Sequence, residues 1–380
     1  MKMNEIDLYG IYQKKGQKFN YYFDKITGIF IKSKHRTIEN PKKILFLRND
    51  HVGDMLHSSQ AFREMKRAFP DVKITVLASP SNRTLIEKNK NVDNIIEIDL
   101  FWRKRNVKSL MRYLKILKKI RKEKFDVGID LRMSKLNVFF FLFVPGIKNR
   151  VGYYNANGGK AFLTHPIFYD KKVHIIKEPI KLINEAFEKE IVKDYFPEII
   201  NDKEDLDEVK EFMKKNNIKN YIMIFPGATT SAKKWPEEKF DEMIKKFHKR
   251  YPKYKVIISS SNDEKELVER LVKNNPHCVP LVGYNLRKLA VMLRNTKAIV
   301  GNNNAGTGLG WPIGANVVVL WNGVDLEIHE PIIKAKIIHH KLDCYPCDWT
   351  KECEKPCGVW CMDLITVEEV MRAVDEFIKE

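Results

Sequence analysis

From Lys43 onward, short apolar runs alternate with longer amphipathic stretches. Apolar runs stand at Ile44–Leu47, Val72–Leu77, Ile95–Ile98 and Val127–Leu131, and again at Ile222–Phe225, Lys255–Ser259, Ala298–Val300 and Val317–Leu320. Each is too short for a helix and nearly continuous in its apolar character, which is the pattern of parallel strands buried on both faces. Helical periodicity fills the gaps: Ser58–Phe69 and Val107–Lys122 in the first half, then Glu237–Arg250, Glu264–Asn274 and Leu286–Asn295 in the second. The stretch 171–205 reads as a connector with a helix around Glu178–Glu190. A last helix begins near Val367, where Thr366 and Glu369 form a T-x-x-E capping box.

Residues 1–41 break this rhythm. They are basic and rich in Tyr and Phe, and read as an extension that either packs on the first domain or touches a membrane surface. The expected organisation is therefore an extension (1–41), an α/β domain (42–190), a second α/β domain (191–360) and a terminal helix (361–380). A length of 380 residues and a 44% hydrophobic fraction suit two such domains.

The net charge of +19 changes the picture, because it calls for acidic partners: nucleotide phosphates, anionic lipid or nucleic acid. A merely Lys-rich composition is the plainer explanation. No aromatic-basic recognition motif is present, so nucleic acid is not expected as a partner. The N-terminus is charged and lacks an apolar core segment. The longest apolar run, Leu136–Val144, falls far short of the ~20 residues of a spanning helix. A cytoplasmic protein is expected, at most peripheral at the inner face of the membrane.

Two strand–loop–helix elements carry the candidate chemistry. The first, K-I-L-F-L-R-N-D-H-V-G-D-M-L-H (Lys43–His57), places Asp54 at the opening of a helix, where a carboxylate is stabilised by the helix N-terminus. There it serves as a general base or as a simple N-cap. The second, Y-I-M-I-F-P-G-A-T-T-S-A-K-K-W-P-E-E (Tyr221–Glu238), offers backbone N–H groups at Gly227, hydroxyls at Thr229 and Thr230, and charge at Lys233 and Lys234. With a helix starting near Pro236, these make a phosphate site; a solvated loop with incidental lysines is the alternative. A third loop, V-G-N-N-N-A-G-T-G-L-G (Val300–Gly310), allows close backbone approach to a ligand around Asn303, Asn304 and Gly306, but lacks the dinucleotide fingerprint. No redox cofactor is expected.

Two further clusters stand apart. Cys344, Cys347, Cys353 and Cys361, with Cys357 extra, supply thiolates for a structural zinc or iron; local disulfides or packed thiols are the alternatives. The run Arg103, Lys104, Arg105, Lys108, Arg112 is either a solvated helix face or a contact for an anionic acceptor.

Taken in order, the motifs R-N-D-H-V-G-D-M-L-H, P-G-A-T-T-S-A-K-K-W-P-E-E-K-F, V-G-N-N-N-A-G-T-G-L-G-W-P-I-G-A and the Cys segment before L-I-T-V-E-E-V resemble the ADP-heptose:lipopolysaccharide heptosyltransferases, glycosyltransferase family 9, over about residues 43–375. The resemblance implies two Rossmann-like domains facing across a cleft (GT-B type), with the C-terminal helix crossing back to the first. It implies inverting transfer of a sugar, heptose favoured, from a nucleotide-diphosphate donor such as ADP-heptose to an anionic glycan, lipid-linked or lipopolysaccharide-core acceptor. Asp54 matches the family's proposed base; Thr229, Thr230 and Lys233 match its diphosphate contacts; Glu264 matches an acid near the donor ribose. Where the family has Asp followed by Ser or Thr, this chain has Asn303 and Asn304, and where it has His, this chain has Gly308. Those positions line the donor sugar. A sugar-nucleotide-binding homologue with altered donor specificity or no catalysis is therefore the alternative.

Overall fold

In the computed structural model, which describes residues 31, 35–98, 107–154, 159–170, 172–194, 196–323, 326, 331, 334–345 and 360–379, the apolar runs become the centres of two parallel sheets. Each sheet belongs to its own unit, Met1–Pro197 and Glu198–Glu380.

The first unit holds β1 (Lys43–Arg48), α1 (Val52–Leu56), α2 (Ser59–Ala68), β2 (Lys73–Ala78), β3 (Asn94–Glu97), α3 (Val107–Glu123), β4 (Val127–Asp130), β5 (Asn149–Tyr154), β6 (His165–Phe168) and α4 (Glu178–Phe187). Its strand order is β3-β2-β1-β4-β5-β6, every pair parallel. Helices cover both faces, so β1 is buried from Ile44 to Arg48 and its sequence is continuous rather than alternating. Phe62 of α2 meets Phe46 edge-on at 5.1 Å. On α3, Tyr113, Ile116 and Ile120 pack with Leu45, Leu47 and Leu77. The longest apolar run forms a helical turn (Lys135–Asn137) continued as a π-helix (Val138–Phe143), not a strand. It lies so close to β4 that a Cβ on Gly128 would stand 2.4 Å from Leu142.

The second unit holds α5 (Lys203–Lys215), β7 (Asn220–Phe225), α6 (Glu237–Arg250), β8 (Tyr254–Ser260), α7 (Lys265–Asn274), β9 (Val279–Val282), α8 (Leu286–Asn295), β10 (Ile299–Asn302), α9 (Ala305–Gly310), β11 (Val317–Leu320), β12 (Ala335–Ile338), α10 (Cys361–Leu364) and α11 (Val367–Lys379). Its order, β9-β8-β7-β10-β11-β12, repeats that of the first sheet. In both, the chain runs outward from the first strand, then returns to lay the fourth strand on its other side. This is the Rossmann order, and its switch point lies between the first and fourth strands: β1 and β4, or β7 and β10.

α11 carries the expected capping box: Glu369 Oε2 accepts from Thr366 N at 2.8 Å and Thr366 Oγ1 accepts from Glu369 N at 3.2 Å. Its apolar face is buried in the second unit. There Val370, Met371, Val374 and Phe377 join the core of β7, β8, β10 and α6. The described part of the N-terminal extension packs on the first unit: Ile31 lies against Val138 and Phe162, and Arg36 O bonds His165 Nε2 at 2.7 Å. Of the basic run, residues 103–105 lie outside the described residues, as do Cys347, Cys353 and Cys357 of the cysteine cluster; Cys344 and Cys361 are half-buried. No described helix is long and apolar enough to cross a membrane.

Candidate functional site

At the switch point of the second sheet, three loops are tied into one wall. β7 ends at Phe225 and the chain turns through Pro226, Gly227 and Ala228, all buried. Glu264, just ahead of α7, reaches across and accepts a hydrogen bond from Ala228 N at 2.8 Å. A Cβ on Gly227 would lie 1.8 Å from Glu264 Oε2, so the carboxylate takes the space a side chain would fill. Lys234 Nζ stands 3.4 Å from Glu264 Oε1.

The β10 side is bound to the same turn. Asn302, fully buried, accepts from Trp235 N at 3.0 Å and donates to Pro226 O at 2.6 Å. Asn304 donates to Gly227 O at 2.7 Å and to Phe225 O at 3.2 Å, while its Oδ1 caps α9 by accepting from Gly306 N and Thr307 N. The Asn304 side chain is therefore a strut of the wall. Gly306 is needed for close approach: a Cβ there would sit 2.1 Å from the Phe225 ring. Gly308 faces open space, so room exists at that position for a ligand or a larger side chain. Asn303 is half-exposed.

In front of this wall stand the residues read as phosphate contacts. Thr229 is exposed and Thr230 half-exposed; among the described residues neither hydroxyl finds a hydrogen-bond partner. A 3₁₀ turn, Ser231–Lys233, follows and carries Lys233, whose ammonium burial pulls below its ordinary pKa. α6 then opens at Glu237, with Pro236 at its N-cap. Unbonded hydroxyls, a partly desolvated cation and a helix N-terminus form an arrangement suited to an anion.

A cavity of about 630 Å³ is lined in part by Lys234. Glu237, Glu238, Asp263, Glu264, Glu266 and Asp363 line it against two cations, Lys234 and Arg270, and Arg270 is paired to Glu237 at 2.8 Å. An acid excess repels phosphate but suits hydroxyl donors. Thr229, Thr230 and Lys233 do not line it.

The switch point of the first sheet is acidic. Arg48, buried at the end of β1, donates to Asp54 O (3.0 Å), Ser58 Oγ (2.9 Å), Asp50 Oδ2 (3.2 Å) and Leu131 O (2.5 Å). Burial alone would lower its pKa, but Asp50, Asp54, Glu178 and Asp130 raise it and keep the guanidinium charged. Burial raises the Asp50 carboxyl against the pull of Arg48, and Asp50 Oδ1 is buried with no hydrogen-bond partner among the described residues. Burial also raises Asp130, to about 6, against hydrogen bonds from Ser134 N and Arg132 N. Glu178 is raised by burial, opposed by a 2.7 Å hydrogen bond from Tyr169.

Asp54 stands within this group. It is the third residue of α1, whose N-cap is His51, so it does not cap the helix. It is half-exposed, and among the described residues its carboxylate accepts no hydrogen bond. A carboxylate with no hydrogen-bond donor of its own among the described residues is open to a hydroxyl that comes within hydrogen-bond reach. Arg48, Asp130, Glu178 and Asn302 were not singled out by the sequence reading. A charged residue closing an apolar strand, as Arg48 and Asp130 do, is the signal that marks such positions.

Comparison with known proteins fits this geometry. E. coli ADP-heptose lipopolysaccharide heptosyltransferase II superposes with a TM-score of 0.72 at 19% identity, over 89% of this chain and 98% of that one. A glycosyltransferase family 9 protein of Veillonella parvula gives 0.77 at 19%, over 90% and 99%. E. coli heptosyltransferase WaaC with ADP gives 0.67 at 15%, over 88% and 99%. These likenesses show a shared GT-B fold. Among curated proteins none matches the chain. Residues 113–357, more than half of the chain, match glycosyltransferase family 9 (heptosyltransferase). The chain belongs to that family and is a glycosyltransferase.

Proposed function

We propose that this chain is an inverting transferase that moves a heptose from ADP-heptose to an anionic, lipid-linked or lipopolysaccharide-core glycan. The observation that carries the reading is the wall at β7 and β10, where Gly227, Glu264, Asn302 and Asn304 hold the Thr229–Lys233 turn open to an anion. Donor binding is assigned to the second unit and acceptor activation to the first. ADP-heptose is taken as donor because the similar solved proteins are named for it or hold ADP.

In this reading Asp54 takes the proton of the attacking acceptor hydroxyl. The anomeric carbon–oxygen bond to the diphosphate breaks as the new glycosidic bond forms, in one displacement that inverts the carbon. Charge gathering on the diphosphate is stabilised by Lys233, Thr229, Thr230 and the N-terminus of α6. The acids of the neighbouring cavity, Glu264 among them, accept hydrogen bonds from donor ribose hydroxyls. For Cys344, Cys347, Cys353 and Cys361 the reading keeps a structural zinc or iron, with local disulfides or packed thiols as the alternatives. Work at the inner face of the membrane follows from the acceptor.

A second reading, sugar-nucleotide binding with another donor or no turnover, is favoured by Asn303, Asn304 and the open space at Gly308. Incubating the protein with ADP-heptose and a lipopolysaccharide-core acceptor decides between them. Transfer supports the first reading; tight ADP binding without transfer from ADP-heptose supports the second.

A further inference from the structure

Among the described residues, eight large apolar side chains are exposed, and five of them lie on α3 or on the helical stretch packed against it. Leu110 (42% exposed), Met111 (56%) and Leu114 (54%) are on α3; Leu136 (43%) and Val144 (43%) flank the π-helix. α3 already buries Tyr113, Ile116 and Ile120 against its sheet. Its apolar arc is therefore wider than the core requires. Leu110, Leu114 and the half-buried Leu117 follow i, i+4, i+7 and form one strip beside the buried one.

The rest of the helix is cationic. Val107–Glu123 carries seven Lys or Arg and a single acid, Glu123, which pairs with Lys43. Arg112 stands 3.8 Å from Glu97, but Lys115, Lys118, Lys119, Arg121 and Lys122 are exposed without an ion pair among the described residues.

We propose that this face of α3 docks the first unit on an anionic lipid bilayer, with Leu110, Met111 and Leu114 at the acyl boundary and the lysines among the headgroups. An apolar strip bordered by cations matches the two properties such a surface offers together: apolar depth and negative potential. A second copy fits badly, since a self-complementary contact would set one cationic helix on another. The topology gives the docking a use. α3 runs from the carboxyl end of β3 to the amino end of β4. Its first half, which carries the exposed strip, thus lies at the end of the sheet where Asp50, Asp54 and Asp130 stand. An acceptor anchored in the bilayer would be presented to that end. This use rests on the transferase reading above; the docking itself does not.

The test is co-sedimentation of the full chain with phosphatidylglycerol–phosphatidylcholine vesicles and with pure phosphatidylcholine vesicles, with no donor or acceptor present. Binding is expected to the anionic vesicles only, and to weaken as salt is raised. The L110S/M111S/L114S variant should bind about tenfold or more weakly while keeping the wild-type circular dichroism spectrum, because the three side chains stand largely outside the core. Three outcomes overturn the proposal: no binding to anionic vesicles, equal binding by the triple variant, or wild-type self-association that the variant abolishes. The last would make the face an interface between copies. With no sugar present, failure here leaves the transfer reaction to stand or fall by its own assay.

Discussion

Gly227→Ala is the sharpest probe of how the donor wall is built. The added methyl would lie 1.8 Å from Glu264 Oε2 and 2.3 Å from Cδ, so the carboxylate must turn away. It then gives up the 2.8 Å hydrogen bond from Ala228 N, a charge-assisted contact worth about 1.5–3 kcal/mol. The Lys234 pair, on a lysine side chain 46% exposed, adds at most a few tenths of a kcal/mol. Gly227 is not in the left-handed region, so alanine fits its backbone and recovers about 0.4–1 kcal/mol through the unfolded chain. The net expectation is a loss of about 1–2 kcal/mol in urea unfolding. ADP affinity should fall about tenfold by calorimetry, since the displaced carboxylate no longer meets the ribose. Glu264→Ala removes the group that clashes. On that background Gly227→Ala should be neutral or stabilising by about 0.4–1 kcal/mol. Losses that add within about 0.5 kcal/mol would refute the argument, because independent sites add and residues that share a contact do not.

Three other outcomes follow. Lys233→Ala should weaken ADP binding by about 1.5–3 kcal/mol and leave adenosine binding unchanged, and equal losses for both would remove the phosphate role. Asp130 titrates near 6 in the folded chain, above its unfolded value, so the folded state holds its proton longer and stability falls as pH rises from about 4 to 6. Asp130→Asn should therefore stabilise the protein at pH 8 by up to about 3 kcal/mol and not at pH 4; an advantage that does not change with pH would contradict this. If Cys344, Cys347, Cys353 and Cys361 hold zinc or iron, elemental analysis should find about one equivalent and chelation should lower the Tm. Metal-free protein of unchanged Tm would leave packed thiols or disulfides.

What was legible in the sequence was whatever local physics decides. The central strands β1, β2, β4, β7, β8, β10 and β11 are buried on both faces, and continuous apolar runs announce them. β3 was also found, although it is an edge strand. The strands that escaped are the edge strands β6, β9 and β12, and β5 beside β6. β6 and β9 each contain proline, Pro166 and Pro280, tolerated because an edge strand need not donate on its open side. β12 is half-exposed throughout, and β5 opens with Asn149 and Arg150, so neither shows an apolar run. α5 shows no clear apolar stripe, because its charged sequence buries only Asp205 and Val209. Asp205 is held by a buried pair with Arg287 at 2.9 Å, a contact between residues 82 apart that no local pattern reveals. The site divides in the same way. Gly227, Thr229, Thr230 and Lys233 sit on one loop and could be read together. Glu264, Asn302 and Asn304 join them only because the strand order sets β8 and β10 on either side of β7. Arg48 and Glu178 meet Asp54 through packing alone.

The central claim, that Asp54 is the base of an inverting heptosyl transfer, is tested most directly by one pair of rates. Single-turnover transfer from ADP-heptose to a lipopolysaccharide-core acceptor should be measured for the wild type and for Asp54→Asn, which keeps shape and removes basicity. The account predicts a fall of about 10²-fold or more in the variant, with ADP-heptose affinity unchanged because the donor is assigned to the second unit. A variant that transfers heptose at the wild-type rate would contradict it.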